Sequence, residues 1–583
     1  MTKYENCRVL ANETAEQIDI ENIWKDLKTF SHLERYTGSE EGERAVDLIC
    51  SRMEEYGVEY VREKYDIFRS LPLGGSLKID TTTGETYTFP LTPYVYSANC
   101  VDLEAPIVFD EVGRKKGGAL MLFDTGKEVS TQKDEAKRFA NMEGKIVFTL
   151  EASYDFAMKA KRAGAIAIVT AYALDKVHHG SLGSVWGNPD VDALVSMYPW
   201  LPYGEMKKSD SDKLVALMDA GEVLRAVMNI QQDNNIVKAS VPVATIHGKS
   251  DKFVLISGHY DSWYEGMTDN ASANISMIEM ARILKKYEGK LRRSVKLAWW
   301  CGHSDARYAG STCYSDHHYM ELQENCVAHL NMDISGFADL DHVSFLTSLF
   351  ENDEFDMEIL KEYNKEEPEA CKPMTRFADQ TFWATRVPFT VMPKFGVYHF
   401  GSTDISFWHT PEDTFDKLNK PSILRDASCM LKLACYYIES EQLPADFSKF
   451  LDFMDQELHE IQDNTEAEFD LSPVWPCLNR VKETAAALEE MMPGRDSDDI
   501  IIKAGGELTR LVYSYSSRYT HDTALPQPRY PKLSIAVDKT RDNTTPDYYL
   551  ALQTTFQRHV NRLVGQLNYV NDMMELQINK WFV

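Results

Sequence analysis

The sequence predicts an α/β protein built on a doubly wound, mostly parallel sheet, with a second α/β segment inserted into it and a helical C-terminal part. Three observations predict this. Between residues 250 and about 440, short apolar runs alternate with helical stretches, as βαβ units do. Between about 90 and 245 a second strand–helix–strand texture, GKIVFTLEASYDFAMKAKRAGAIAIVTAY, interrupts the first. From about 441 onward apolar residues recur at helical spacing only. The expected division is therefore 1–90 with 246–440, an insertion at 91–245, and a C-terminal helical domain at 441–583.

In chain order, TGSEEGERAVDLICSRMEEYG reads as one amphipathic helix. Val46, Ile49, Met53 and Tyr56 share a stripe, Thr37 or Ser39 is the cap, and Gly57 ends the helix. Extended pieces follow to about residue 90. In the insertion, Gly144 to Leu150 and Ala165 to Thr170 are buried strands flanking a helix from Tyr154 to Ala163. LPYGEMKKSDSDKLVALMDAGEVLRAVMNI then gives a short helix and a strand, and no catalytic cluster. Farther on, Phe253 to Ser257, Val295 to Trp300 and Cys326 to Ile334 are apolar strands, with a helix over Ala273 to Tyr287. At the C-terminal end, Phe447, Phe450, Leu451, Met454, Leu458 and Ile461 form one helical stripe; Leu552, Phe556, Val560, Leu563, Leu567 and Val570 form another. Some of these faces are candidates for a homodimer interface.

Composition excludes several classes. With 62 Lys and Arg against 90 Asp and Glu, the net charge of −28 argues against nucleic acid and anionic membranes as partners. The N-terminal stretch lacks a signal-peptide core, and the longest apolar run, Gly164 to Leu174, is too short to span a bilayer. The ten cysteines show no CxxC pairing, so free thiols and a cytoplasmic location are expected. GxSxG, GxxxxGK[ST] and GxGxxG are absent.

In an open α/β sheet, sites form past the carboxyl ends of strands. After Phe253–Ser257 comes GHYDSWYEGMTDNASA, with His259, Asp261, Asp269 and Asn270. After Val295–Trp300 comes CGHSDARYAGS, with His303 and Asp305. Asp333 follows the next strand, and FWHTPEDT supplies His409 and Asp413. Any one of these is as readily a helix cap or a packed imidazole; the conjunction at successive strand ends is what points to a site. Imidazole nitrogens and carboxylate oxygens are the ligands of catalytic zinc, and a carboxylate can bridge two ions. Asp269, fixed by the following helix, is the natural bridge. Asp261, two residues from His259, is placed to hydrogen-bond that imidazole and set its tautomer. Arg307 and Tyr308, and more distantly Arg376, are candidate substrate contacts.

These motifs, GHYDSW…TDNASA, AGS after a strand, NMD and HTPEDT, resemble the M28 family of metallopeptidases. The insertion resembles a protease-associated (PA) domain, and the whole arrangement is similar to the glutamate carboxypeptidase II and transferrin receptor branch. The resemblance implies one or two Zn2+ ions, with His259 and Asp333 on one, Asp269 bridging, and His409 on the second. It also implies hydrolysis of a peptide or small-molecule amide. The family has two adjacent glutamates before the GS, a general base and a ligand. Counting back from Gly310 and Ser311, Ser304 and Asp305 stand there; with one extra loop residue, His303 and Ser304 do, so Asp305 or His303 is a possible further Zn2+ ligand and His303 is either base or ligand. Three readings stay open: a two-metal hydrolase with Asp305 as ligand and His303 as base, a hydrolase with one metal or an altered one, and a catalytically inactive dimeric binding protein.

Overall fold

The computed structural model describes residues 4–116, 132–337, 342–374, 379, 382, 384–396 and 405–582. Arg376 lies outside the described residues. The strands are β1 (Glu59–Thr81), β2 (Thr86–Pro93), β3 (Cys100–Ala105), β4 (Ile107–Phe109), β5 (Ile146–Phe148), β6 (Ala167–Ala171), β7 (Tyr203–Met206), β8 (Val223–Ile246), β9 (Ser250–His259), β10 (Arg293–Trp300), β11 (Cys326–Asn331), β12 (Val343–Thr347), β13 (Lys372–Pro373) and β14 (Phe389–Phe395). They join in the order β13-β12-β14-β11-β9-β10-β8-β1-β2-β7-β6-β5-β4, with β3 on β8.

The sheet is α/β, with two parallel blocks and a short parallel pair of β12 with β13 at one edge. In one, β10, β9, β11 and β14 run parallel; in the other, β7, β6, β5 and β4 do. Between them β1 and β8 pair antiparallel almost end to end, from Glu59↔Thr245 to Thr81↔Val223. This ribbon carries the chain out of the first block and back, so residues 82–222 lie between its two strands.

Local sequence explains the elements nearest the site. The helix Glu40–Tyr56 starts at Ser39, whose hydroxyl accepts the Gly42 N–H, and stops at Gly57 in the left-handed conformation. Its stripe of Val46, Ile49 and Met53 is buried against β8 and the helix Ser272–Lys285. Each such side chain contributes about 1.5–3 kcal/mol of burial. Ser272–Lys285 is buried nearly all round because it lies between the sheet and other helices. β9, β10 and β11 are fully or almost fully buried, as strands covered on both faces must be. Both C-terminal stripes face inward in the helices Phe447–Asp463 and Pro546–Phe582. All ten cysteines are free thiols. Among the described residues no helix is long and apolar enough to cross a membrane.

Candidate metal centre

β9 runs to His259 and so delivers its imidazole at the carboxyl edge of the sheet. His259 Nδ1 donates to the backbone carbonyl of Asp261 at 2.9 Å. A carbonyl only accepts, so Nδ1 carries the hydrogen and Nε2 is directed into the site. There it meets two carboxylate oxygens, Asp269 Oδ1 at 3.1 Å and Asp333 Oδ1 at 3.3 Å. Burial opposes the imidazolium form, but the Asp333 and Asp269 carboxylates prevail and hold the His259 pKa well above its ordinary value. Asp269 turns its other oxygen, Oδ2, to His409 Nε2 at 3.2 Å. Its pKa lies well below the ordinary range: burial works the other way and is outweighed by His259 and His409. At His409 burial wins and the pKa is lowered.

His303 is the third imidazole. Its ring lies flat on that of His259, centroids 3.8 Å apart and planes 9° apart. One ligand atom each from His259, His303 and Asp333 all fall within 4.8 Å of one another. His303 Nδ1 donates to Asp379 at 3.0 Å, and the edge of its ring meets Tyr308.

Asp261 and Asp305 are buried beside this cluster with other partners. The Asp261 carboxylate accepts the N–H groups of His303 and Ser304, at 3.0 and 2.9 Å. It therefore fixes the loop that carries His303, while its backbone carbonyl, and not the expected carboxylate, sets the His259 tautomer. Asp305 Oδ2 accepts the Thr37 N–H at 3.0 Å. Burial, with the Asp261 charge adding to it, pushes the Asp305 pKa up to about 7. Of the two alternatives in this loop, His303 is the one brought against His259. Arg307 donates to the Ala524 carbonyl and lies over Tyr308. Tyr308 packs on Trp186, one wall of a cavity of about 690 Å³ whose lining includes Asn188, Tyr319, Tyr515 and Arg518.

Three holding groups had no signal in the sequence pattern. Arg35, fully buried, donates to the carbonyls of Leu33, Tyr260, Glu265 and Gly266, clamping the loop between His259 and Asp269. His409 Nδ1 faces the carbonyl of His179, 3.3 Å away, which belongs to the segment between β1 and β8. Asp379 holds His303. The Asp413 carboxylate accepts from the N–H groups of Thr268 and Asp269 and so caps the turn that carries Asp269. Burial pushes its pKa up to about 7 against those hydrogen bonds.

The donor set fits a divalent metal. A nitrogen lone pair and two carboxylates cannot share one point without a proton or a cation between them, and imidazole plus carboxylate is the zinc donor chemistry. Residues 242–434 match the model of peptidase family M28. His259, Asp269, Asp333 and His409 all fall within the matched residues. Among curated proteins, the M28 domain has similarity to Aminopeptidase NAALADL1 of Mus musculus, 36% identical over 92 residues, or 15% of this chain and 12% of that protein. An aminopeptidase of Pseudomonas aeruginosa is 33% identical over 99 residues, 17% of this chain and 18% of that protein. A probable glutamate carboxypeptidase AMP1 of Arabidopsis thaliana is 28% identical over 111 residues, 18% of this chain and 16% of that protein. The matches thus span less than a fifth of these relatives. Among solved structures, an aminopeptidase from Aneurinibacillus sp. strain AM-1 aligns with a TM-score of 0.56 at 20% identity, covering 75% of this chain and 98% of that one. A zinc aminopeptidase from Bacillus subtilis aligns with a TM-score of 0.54 at 18% identity, covering 73% and 96%. At these identities the M28 likeness of the structures is one of fold.

Proposed function

We propose that the protein is a metal-dependent hydrolase that cleaves a peptide or small amide bond with activated water. The observation that carries this reading is the convergence of Asp269 and Asp333 on the single Nε2 of His259, with Asp269 reaching on to His409. The names of the aminopeptidase and carboxypeptidase relatives agree with it. His259, Asp269, Asp333 and His409 would hold one or two zinc ions. Bound zinc lowers the pKa of water and polarises a carbonyl. The chain's own part is positional and proton-handling. The carbonyls of Asp261 and His179 aim His259 and His409, Asp413 fixes the turn bearing Asp269, and His303 stands at the base position to take a proton at Nε2 and return it to the leaving amine. Arg307 and Tyr308, next to His303 in the chain, are the candidate substrate contacts.

The same reading keeps the division 1–90 with 246–440, a PA domain at 91–245 and a C-terminal helical domain at 441–583 that pairs two copies, with the cytoplasm as its location. The experiment is elemental analysis of the purified protein with turnover of dipeptides and N-acyl amino acids, with and without chelator. One or two zinc per chain and chelator-sensitive turnover lost in Asp269→Asn are expected. A metal-free protein without turnover sinks the reading in favour of a binding protein.

A further inference from the structure

His303 is held from two directions. Its backbone N–H is fixed by Asp261, and its ring by Asp379, a residue from the connection between β13 and β14 that is only 1% exposed. Each Asp379 oxygen has a partner: Oδ2 accepts from His303 Nδ1, and Oδ1 accepts from the hydroxyl of Ser311, in the first turn of the helix Ala309–His317. The ring is further confined by His259 on one face and Tyr308 at its edge. A carboxylate accepts and never donates, so the hydrogen sits on Nδ1 and the lone pair on Nε2. Without Asp379 the imidazole is free to take the opposite tautomer, whose bare nitrogen points away from chemistry.

We propose that Asp379, anchored by Ser311, is the positioning residue of His303, fixing the tautomer and ring plane that leave Nε2 bare in a ring stacked on His259. This rests on the hydrolase reading for its kinetic consequence, but not for the tautomer itself. Asp379 touches no reacting atom; it acts through His303.

The test uses the full chain carrying 15N-labelled histidine. The His303 signals, identified by their loss in His303→Gln, give the tautomer from long-range 1H–15N correlation. The Nδ1–H form is expected in the wild type and a mixed or Nε2–H form in Asp379→Asn. With it, kcat on the dipeptide that the wild type cleaves best should fall roughly 10²- to 10⁴-fold, while KM stays within about threefold and zinc content is unchanged. Asp379→Glu should restore the Nδ1–H form and recover at least about tenfold of the lost kcat. A wild type in the Nε2–H form, or an Asp379→Asn protein with unchanged tautomer and kcat, overturns the proposal. If the wild type shows no turnover, the hydrolase reading fails while the tautomer still decides the role of Asp379. Should Asp379→Asn not fold, Ser311→Ala reads the same property: a mixed tautomer supports the proposal, and an unchanged one overturns it.

Discussion

Asp413 carries Asp269: its Oδ2 accepts the Asp269 N–H at 3.2 Å, while its Oδ1 accepts that of Thr268 at 3.0 Å. Replacing it with alanine strands two buried amides and loosens the turn that presents the bridging carboxylate. Asp413→Ala should weaken zinc binding about 10- to 100-fold and lower stability by about 1–3 kcal/mol. Chelator competition and urea unfolding measure the two; unchanged zinc affinity would show that the turn holds itself.

Arg293 locks the sheet to the C-terminal helices. Fully buried at the start of β10, it donates to the carbonyls of Tyr437 and Ser440 and makes two hydrogen bonds of 2.8 Å to Asp498. Removing one partner of such a pair leaves an uncompensated charge, so Asp498→Ala should cost about 3–5 kcal/mol. A change below about 1 kcal/mol in chemical unfolding would mean that the pair is solvated.

Acid should destabilise the fold through His329. Burial in β11 pushes its pKa down to about 3, against the opposing pull of Asp379. In the unfolded chain the ordinary value is about 6.5. Between these two pH values the unfolded state binds a proton that the native state does not, so stability falls as pH drops from about 6.5 toward 3, by up to about 1.4 kcal/mol per pH unit. His329→Gln should flatten that slope in urea midpoints taken at pH 7, 6 and 5; an identical slope refutes the assignment.

Gly187 seats the segment that brings His179 to His409. Its φ is +72°, its N–H donates to the Arg307 carbonyl at 2.7 Å, and a Cβ there would lie 2.7 Å from Thr312 Cβ. Gly187→Ala should therefore cost more than about 1 kcal/mol. Turnover should fall with the melting temperature; full activity at a lowered melting temperature would separate the segment from the site.

His259 and Asp333 were legible because each closely follows an apolar run, and chain direction alone places such residues at one sheet edge; Asp269 and His409 were legible only as a carboxylate and an imidazole in the loops GHYDSWYEGMTDNASA and FWHTPEDT. The helical stripes of Phe447–Asp463 and Pro546–Phe582 were legible for the same kind of reason, a period that survives without tertiary context. Arg35, His179 and Asp379 were not, since each reaches the site by packing across long sequence separations and no spacing rule connects them to it. The Asp261 spacing suggested a carboxylate on His259; the nearer carbonyl took that place because the carboxylate is engaged by two amides of the next loop. The antiparallel pairing of β1 with β8 was not legible, because their burial patterns are too irregular to announce a partner.

That ribbon has a consequence for how the inserted segment is tied to the site. Glu59 pairs with Thr245 at one end of the ribbon and Thr81 with Val223 at the other, where residues 82–222 leave and re-enter it. The insertion stands where the turn of an outsized hairpin would be, and the second strand of that hairpin leads directly into the strand that ends at His259.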